Sequence, residues 1–544
     1  MVDFKNTTLP YYGSWNDGSY YGISTNRISP IKHVCLQTHL AEFVYELQQL
    51  IVINSSLINW SSNSNLTFVP QNKTMKVEQI YTGCLAEASY YIESDGEAVI
   101  IDPLREAAPY LERANESKAQ IKYILETHFH ADFVSGHVDL AKKTGATIVY
   151  GPTATADFEM KTATDGEILE LGKAKIKVIH TPGHTMESSC YLLIDEEGNE
   201  TALFSGDTLF IGDVGRPDLA VKTTLSREDL AGHLFDSLRN KVMPLKDAIT
   251  VYPAHGAGSA CGKNMSKETF DSLGNQKANN YALRADMTKE EFITELLEGM
   301  LPAPQYFPKN ALMNASAENR TFDSIISEGT KALNLNEFDT QVKEGALVLD
   351  VRHQRDFVQG FIPNSWFIGI DGGFAPWVGN LISDINQKIV LICPEGREEE
   401  VVKRLARVGY DNTVGYLDGS FSTWKNADRA IDTMMQEDAE EFTASYTKGI
   451  DVLDVRKPGE FSAEHVEDAQ HCPLDYVFNH FDTIDADKTY HVHCAGGYRS
   501  VIFISILKSK GYHHLIDVAG GYGALRRTEV PKTDFVCPTT VREN

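Results

Sequence analysis

From Met75 onward, apolar and polar positions alternate in short runs cut by Gly, Pro, Asn and Asp, the pattern of strands separated by turns; MKVEQIYTG opens it. Residues 1–74 are rich in Asn, Ser and Tyr and lack that punctuation, apart from one amphipathic stretch at HLAEFVYELQQL, so they read as an extension upstream of a natural start at Met75. Four later strand-like runs, YILETHFHAD, KVIHTPGHT, LFSGDTLF and VYPAHG, each end in a short loop carrying His or Asp. TKEEFITELLEG then predicts a helix, and the residues after it a Pro-rich extended crossing that docks the C-terminal half in a fixed order.

The C-terminal half repeats itself. LVLDVRHQRDFVQGFIPNS is echoed by DVLDVRKPGEFSAEHVEDA, with Asp350 and Asp454 104 residues apart, and Cys393 and Cys494 recur at a spacing of 101. In each copy a buried strand leads into the Cys, a short loop turns, and a helix ending in Gly-Tyr comes next, which predicts two copies of one small α/β domain.

The strand-end loops offer His128, His130, Asp132, His184, Asp207 and His255. Neutral imidazoles and carboxylates are ligands for divalent zinc or iron, and four strand ends can converge on one sheet edge. His137 lies in the same segment but reads as a helix residue. The donor types accept either metal.

Composition narrows the function. A net charge of −26 over 544 residues disfavours a nucleic-acid partner, since phosphate binding needs a basic face. Eight cysteines in so long a chain, without a dense repeating pattern, describe reduced thiols in a cytoplasmic protein and not a disulfide framework. No run reaches the roughly 18 apolar residues of a membrane helix, so no membrane partner is expected. A homo-oligomer remains open.

The motif THFHADF, with TPGH, GD and YPAHG behind it, resembles the metallo-β-lactamase fold, whose first motif runs His-x-His-x-Asp-His. Here Phe133 replaces the last His, a group that helps hold a second metal in dinuclear relatives such as glyoxalase II. Within that fold the chain is most similar to the persulfide dioxygenase branch. The resemblance implies a single Fe(II) per chain held by His128, His184 and Asp207. His130, Asp132 and His255 would then orient ligands or bound water, or add a ligand. It also implies that Arg216, in GDVGRPD, faces an anionic thiol carrier and that Cys261, in GAGSACGK, lies near the substrate channel.

Both repeats, over about residues 325 to 535, resemble rhodanese sulfurtransferase domains. A Cys in a strand-to-helix loop gains from backbone N–H groups and the helix dipole, which favour a thiolate. The second loop, Cys494-Ala-Gly-Gly-Tyr-Arg499, has small residues and a cation, and Cys494 and Arg499 are the expected catalytic pair; Arg456 reads as a structural ion pair. The first loop, Cys393-Pro-Glu-Gly-Arg-Glu-Glu, carries carboxylates where the thiolate needs positive potential, and Pro394 removes a donor. That copy reads as degenerate.

The expected architecture is an extension over 1–74, an αββα sandwich over 75–320, a degenerate rhodanese domain over 325–432 and an active one over 438–537. The resemblance implies oxidation of a small thiol persulfide by O2 to sulfite, followed by sulfur transfer to sulfite through Cys494. A glyoxalase-like zinc thioester hydrolase and a non-enzymatic sulfur carrier are the alternatives; Phe133 speaks against the first and the complete ligand set against the second.

Overall fold

The structure, a computed structural model, describes residues 75–219, 225–447 and 449–536. The stretch read as an N-terminal extension lies outside them.

Among the described residues the strands form four sheets. The first sets Lys76–Thr82, Glu87–Ser94, Glu97–Ile101, Gln120–Leu125, Thr147–Tyr150 and Lys161–Thr162 side by side in chain order. The second continues with Ile168–Leu171, Ala174–His180, Ser189–Ile194, Glu200–Gly206, Thr250–Pro253 and Asp271–Ser272, again in order. Period-2 alternation explains how they stack. Tyr90, Ile92, Val99 and Ile101 pack against Ile176, Val178, Tyr191 and Phe204 of the other sheet. The intervening Tyr91, Ala98 and Ile100 face the helices Ala108–Ser117 and His137–Thr144. Leu192, Leu203 and Val251 of the second sheet bury against helix Arg227–Ser237 and helix Lys289–Leu297. Each central strand is therefore apolar on both faces, and the result is an αββα sandwich.

The repeated half forms two five-stranded parallel sheets of one topology. In the first the order is Ala332–Leu333, Thr413–Leu417, Ile389–Ile392, Leu347–Asp350, Trp366–Phe367; in the second it is Met435–Glu437, Leu515–Val518, Tyr490–His493, Val452–Asp454, Gln470–His471. Even the ion pairs repeat: Arg352 forks onto Asp350 and reaches the Gly360 carbonyl, while Arg456 forks onto Asp454 and reaches that of Glu464. Arg456 is thus a structural pair, as the sequence implies.

The crossing between the halves differs from the extended segment expected. Residues Phe307–Asn314 form a helix, with Pro308 in its first turn, where the missing N–H leaves no bond unmade. Asn314 closes it usefully: its Nδ2 donates to the carbonyls of His130 (2.7 Å) and Phe133 (2.8 Å), and its Oδ1 accepts from Ser135 N (2.8 Å). One apolar cluster runs from Leu85, Phe133 and Phe210 through Tyr306 and Phe307 into both repeated domains.

Candidate metal centre and sulfur-transfer loops

The loops after strands Gln120–Leu125, Ala174–His180, Glu200–Gly206 and Thr250–Pro253 meet at one edge of the sandwich. One donor atom from each of His128, His184 and Asp207 falls within a 4.8 Å cluster, and all three residues are buried. His184 Nε2 stands 3.4 Å and His128 Nε2 3.9 Å from Asp207 Oδ2. His184 Nε2 and Asp207 Oδ2 have no hydrogen-bond partner, although each is fully enclosed. Burying such atoms unpaired is costly; a divalent metal between them satisfies both, so the donor set fits one.

The ligands are held from behind. His184 Nδ1 donates to the carbonyl of Arg216 (2.7 Å), which leaves Nε2 as the lone-pair donor. Gly215 makes that approach physically feasible: a Cβ there would sit 2.1 Å from the Asp207 carbonyl and 2.9 Å from His184 Nδ1. Thr127 Oγ1 meets His128 Nδ1 at 3.0 Å and is itself fixed by Asp102 (2.9 Å). Asp207 Oδ1 is bridged by His255 Nδ1 at 2.7 Å, and His255 Nε2 reaches Asp132 at 2.8 Å. Burial alone would push His255 down, but Asp132 and Asp207 on its two sides raise it well above the usual histidine range. Burial would push Asp207 up, yet His255, His184 and His128 hold it well below the carboxylate range. Burial, reinforced by neighbouring His130, keeps His128 well below its usual value and hence neutral.

His130 is not among the triad's donors. Its Nε2 turns to Asp102 (3.1 Å) and Glu126 (3.5 Å), and its ring lies against Phe133 with centroids 4.4 Å apart. Phe133 is fully buried in the apolar cluster, a place that suits a phenyl ring. Cys261 gathers with Asp132 and His255 within 4.8 Å, and burial raises its thiol well above the usual range. The Arg216 guanidinium is engaged by Asp218 (2.6 and 2.8 Å) and the carbonyls of Ala260 and Leu301, so its carbonyl, not its charge, serves the site.

Several members of this site escape sequence reasoning. Asp102, Glu126 and Glu87 are buried carboxylates around the His loop, and burial lifts Glu87 and Glu126 well above the carboxylate range. In IIDP and LETH, Asp102 and Glu126 sit just past apolar strands, the signal that could have marked them. Asn314 offers no such signal, because it arrives from a helix 181 residues beyond Phe133.

The second rhodanese-like loop surrounds its sulfur with donors. Gly497 N donates to Cys494 Sγ at 3.1 Å, and Ser500 Oγ lies 3.6 Å from it. Helix Arg499–Ser509 begins there. Arg499 forks onto Glu460 (2.6 and 2.8 Å), so the cation expected beside the thiol is shared with a carboxylate. In the first loop, burial and then Glu398 push the Cys393 thiol well above its usual range. Helix Glu398–Arg407 opens with Glu398, Glu399 and Glu400.

An αββα sandwich with a His/Asp metal site at the edge where its strand loops meet defines a metal-dependent enzyme class. The metallo-beta-lactamase superfamily profile matches residues 82–255, and the rhodanese-like domain profile matches 334–427 and 438–528. A metallo-beta-lactamase of known structure from Staphylococcus aureus is 30% identical, covering 63% of this chain and 99% of that one at a TM-score of 0.56. The ETHE1 structure from Myxococcus xanthus is 27% identical over 44% of this chain and 100% of that one, with a TM-score of 0.37. A hydroxyacylglutathione hydrolase of Klebsiella pneumoniae is 38% identical over 125 residues, 23% of this chain and 47% of that one, so the chain spans about half the length of that relative. The protein belongs to the metallo-beta-lactamase superfamily and carries two rhodanese-like domains. Among the described residues no helix is long and apolar enough to cross a membrane.

Proposed function

We propose that the protein is a persulfide dioxygenase that passes its product to a sulfur-transfer site on the same chain. The observation that carries this reading is that His128, His184 and Asp207 form one compact donor set, while Asp132, His255 and Cys261 and, separately, Asp102, Glu126 and His130 gather in groups of their own. Phe133 occupies the position of the missing histidine, and His130 is drawn away to Asp102 and Glu126. Two imidazoles and one carboxylate suit a mononuclear Fe(II), which when bound supplies adjacent open positions for a persulfide sulfur and O2.

The surrounding residues set the conditions. Arg216 and Thr127 fix the two imidazole rings, and His255 clamps the remaining Asp207 oxygen. Phe133 lies against the His130 ring and Phe210 against that of His255, giving this edge of the site an apolar wall. The net reaction takes RSSH, O2 and water to RSH and sulfite. At the second site, the Cys494 thiolate attacks the sulfane sulfur of another RSSH, RS⁻ leaves, and sulfite then takes that sulfur as thiosulfate, freeing the thiolate.

The test is Cys494→Ser. The variant should consume O2 on glutathione persulfide as wild type does, with sulfite replacing thiosulfate, while Cys393→Ser should change neither product. Thiosulfate formed at the wild-type rate by Cys494→Ser would overturn the relay. A second reading, a glyoxalase II-like zinc thioester hydrolase, is favoured by the Klebsiella relative's name. Two zincs per chain with thioester cleavage and no O2 uptake would establish it in place of the first.

A further inference from the structure

The Cys494 loop lies over a buried carboxyl that the sulfur cycle leaves idle. Asp517 pairs with Val492 on the adjacent strand, two residues before Cys494, so period-2 alternation sets Asp517 and Cys494 toward the same side of the sheet. Helix Arg499–Ser509 packs on both strands. Its second residue, Ser500, is fully buried, as Asp517 is.

Ser500 stands between the thiol and the carboxyl. Its Oγ donates to Cys494 Sγ at 3.6 Å, and the same hydroxyl bears on the Asp517 carboxyl and helps to hold it charged. Asp517 Oδ2 accepts from Gln436 Nε2 at 2.8 Å, whereas Oδ1 is enclosed and accepts from nothing while the Ser500 proton points to sulfur. An open buried acceptor is costly, and a hydroxyl is donor and acceptor at once and rotates to suit. From the two neighbouring strands and the helix, Asp517 meets Gln436, Val492 and Ser500, none of them charged. The charged groups of those elements turn elsewhere: His491 pairs with Glu437, His493 faces Asp454, and Arg499 forks onto Glu460. Burial lifts Asp517 to about 6, so its affinity for a proton lies closer to that of a thiolate than an ordinary carboxylate's does.

We propose that Ser500 and Asp517 form a proton relay for Cys494, in which Asp517 holds the thiol proton while the sulfur is carried. The Cys494 S–H proton passes to Ser500 Oγ as the Ser500 proton passes to Asp517 Oδ1; only the S–H and O–H bonds change, and nothing is oxidised or reduced. The thiolate then attacks the sulfane sulfur and RS⁻ leaves. When sulfite takes that sulfur, the S–S bond breaks, the thiolate is freed and the proton returns by the same path. The inference rests on the proposed sulfur transfer by Cys494. Asp517 acts in it through Ser500, as a positioning residue that never touches the substrate.

The experiment follows two reactions of the full chain without O2, between pH 5 and 8.5: thiosulfate formation from glutathione persulfide and sulfite, and alkylation of Cys494 by iodoacetamide, read by mass spectrometry on the peptide that holds it. In wild type both rates should rise with pH through an inflection near about 6, where Asp517 becomes free to accept a proton. Asp517→Asn should lose that inflection and react about 10-fold or more slowly at pH 7.5. The direction is diagnostic, because removing a nearby negative charge would by itself ease formation of the thiolate and speed both reactions. Ser500→Ala should slow them to a similar extent, and the double variant should be no slower than either single one, as for two members of one chain. Asn is nearly isosteric and never charged, so the domain keeps its fold in that variant, and matching hydrogen-exchange protection at pH 5 checks this. Rates in Asp517→Asn equal to or above wild type at pH 7.5, or an unchanged pH profile, would overturn the relay. Absence of thiosulfate in wild type, with Cys494 alkylation still slowed in Asp517→Asn, would sink the sulfur-transfer reading and leave the relay standing.

Discussion

Asp517 tests how burial controls the fold around the sulfur-transfer loop. It lies on strand Leu515–Val518, next to strand Tyr490–His493 that delivers Cys494, and it is fully buried. Burial pushes its carboxyl up to about 6 from the ordinary 3.8, and hydrogen bonds from Ser500 and Gln436 offset only part of that rise. A raised folded-state value means that the native domain holds the proton more tightly than the unfolded chain. Stability is therefore intact below about pH 4 and falls as pH rises toward 6. At 1.36 kcal/mol for each pH unit, the loss above pH 6 is about 3 kcal/mol. Asn cannot ionise, is nearly isosteric and still accepts from Gln436 Nε2, now 2.8 Å from the carboxylate. Asp517→Asn should thus match wild type near pH 4 and gain up to about 3 kcal/mol at pH 7.5. Hydrogen exchange followed by mass spectrometry, read on peptides covering strand Leu515–Val518 and helix Arg499–Ser509, reports that domain without assuming that the whole chain unfolds in one step. Protection there should rise roughly 100-fold at pH 7.5. An advantage that is the same near pH 4 and at pH 7.5, or absent at both, would refute the argument from burial.

The metal centre and its supports yield three further outcomes. His184→Ala and Asp207→Ala should lose the metal by elemental analysis, while His255→Ala, which removes only the clamp on Asp207, should retain part of it with activity reduced about 10- to 100-fold. Phe133→His restores a donor next to Asp132 in the chain and against the ring of His130, and the metal content of the purified protein should rise from about one towards two per chain. Arg105→Ala strips Asp411 of a 2.7 Å partner at the junction of the sandwich and the first repeat, where the two side chains are only 3% and 11% exposed; the loss should cost about 3–5 kcal/mol in denaturant unfolding.

What the sequence disclosed was whatever a short window could hold. The triad was legible because each ligand closes a strand within a few residues, so THFHAD, TPGH and GD announce themselves separately. The duplicated domain was legible because both copies keep a strand, a Cys loop and a helix at nearly equal spacing, and the two parallel sheets share one strand order. What stayed hidden came from pairings at long range. Glu460 meets Arg499 from 39 residues away, and Arg105 meets Asp411 from 306. A lone Arg in a loop reads as a free cation until its partner is known. That is why Arg216 and Arg499 looked more available in the sequence than Asp218 and Glu460 leave them.

The first rhodanese-like domain makes sense in these terms. Val134 N, immediately after Phe133, donates to the Arg407 carbonyl at the end of helix Glu398–Arg407 (2.7 Å), and the Arg407 side chain pairs with Glu106 of the sandwich. On another side, Tyr498 of the Cys494 loop donates to the Gly369 carbonyl (2.7 Å), and its ring packs so closely on Gly372 that a Cβ there would lie 2.2 Å from it. The first rhodanese-like domain thus touches both the loop that follows Phe133 and the Cys494 loop. None of those contacts uses Cys393. By the same logic Gly372→Ala, a single methyl set against the Tyr498 ring, should disturb the Cys494 loop and lower sulfur transfer more than Cys393→Ser does.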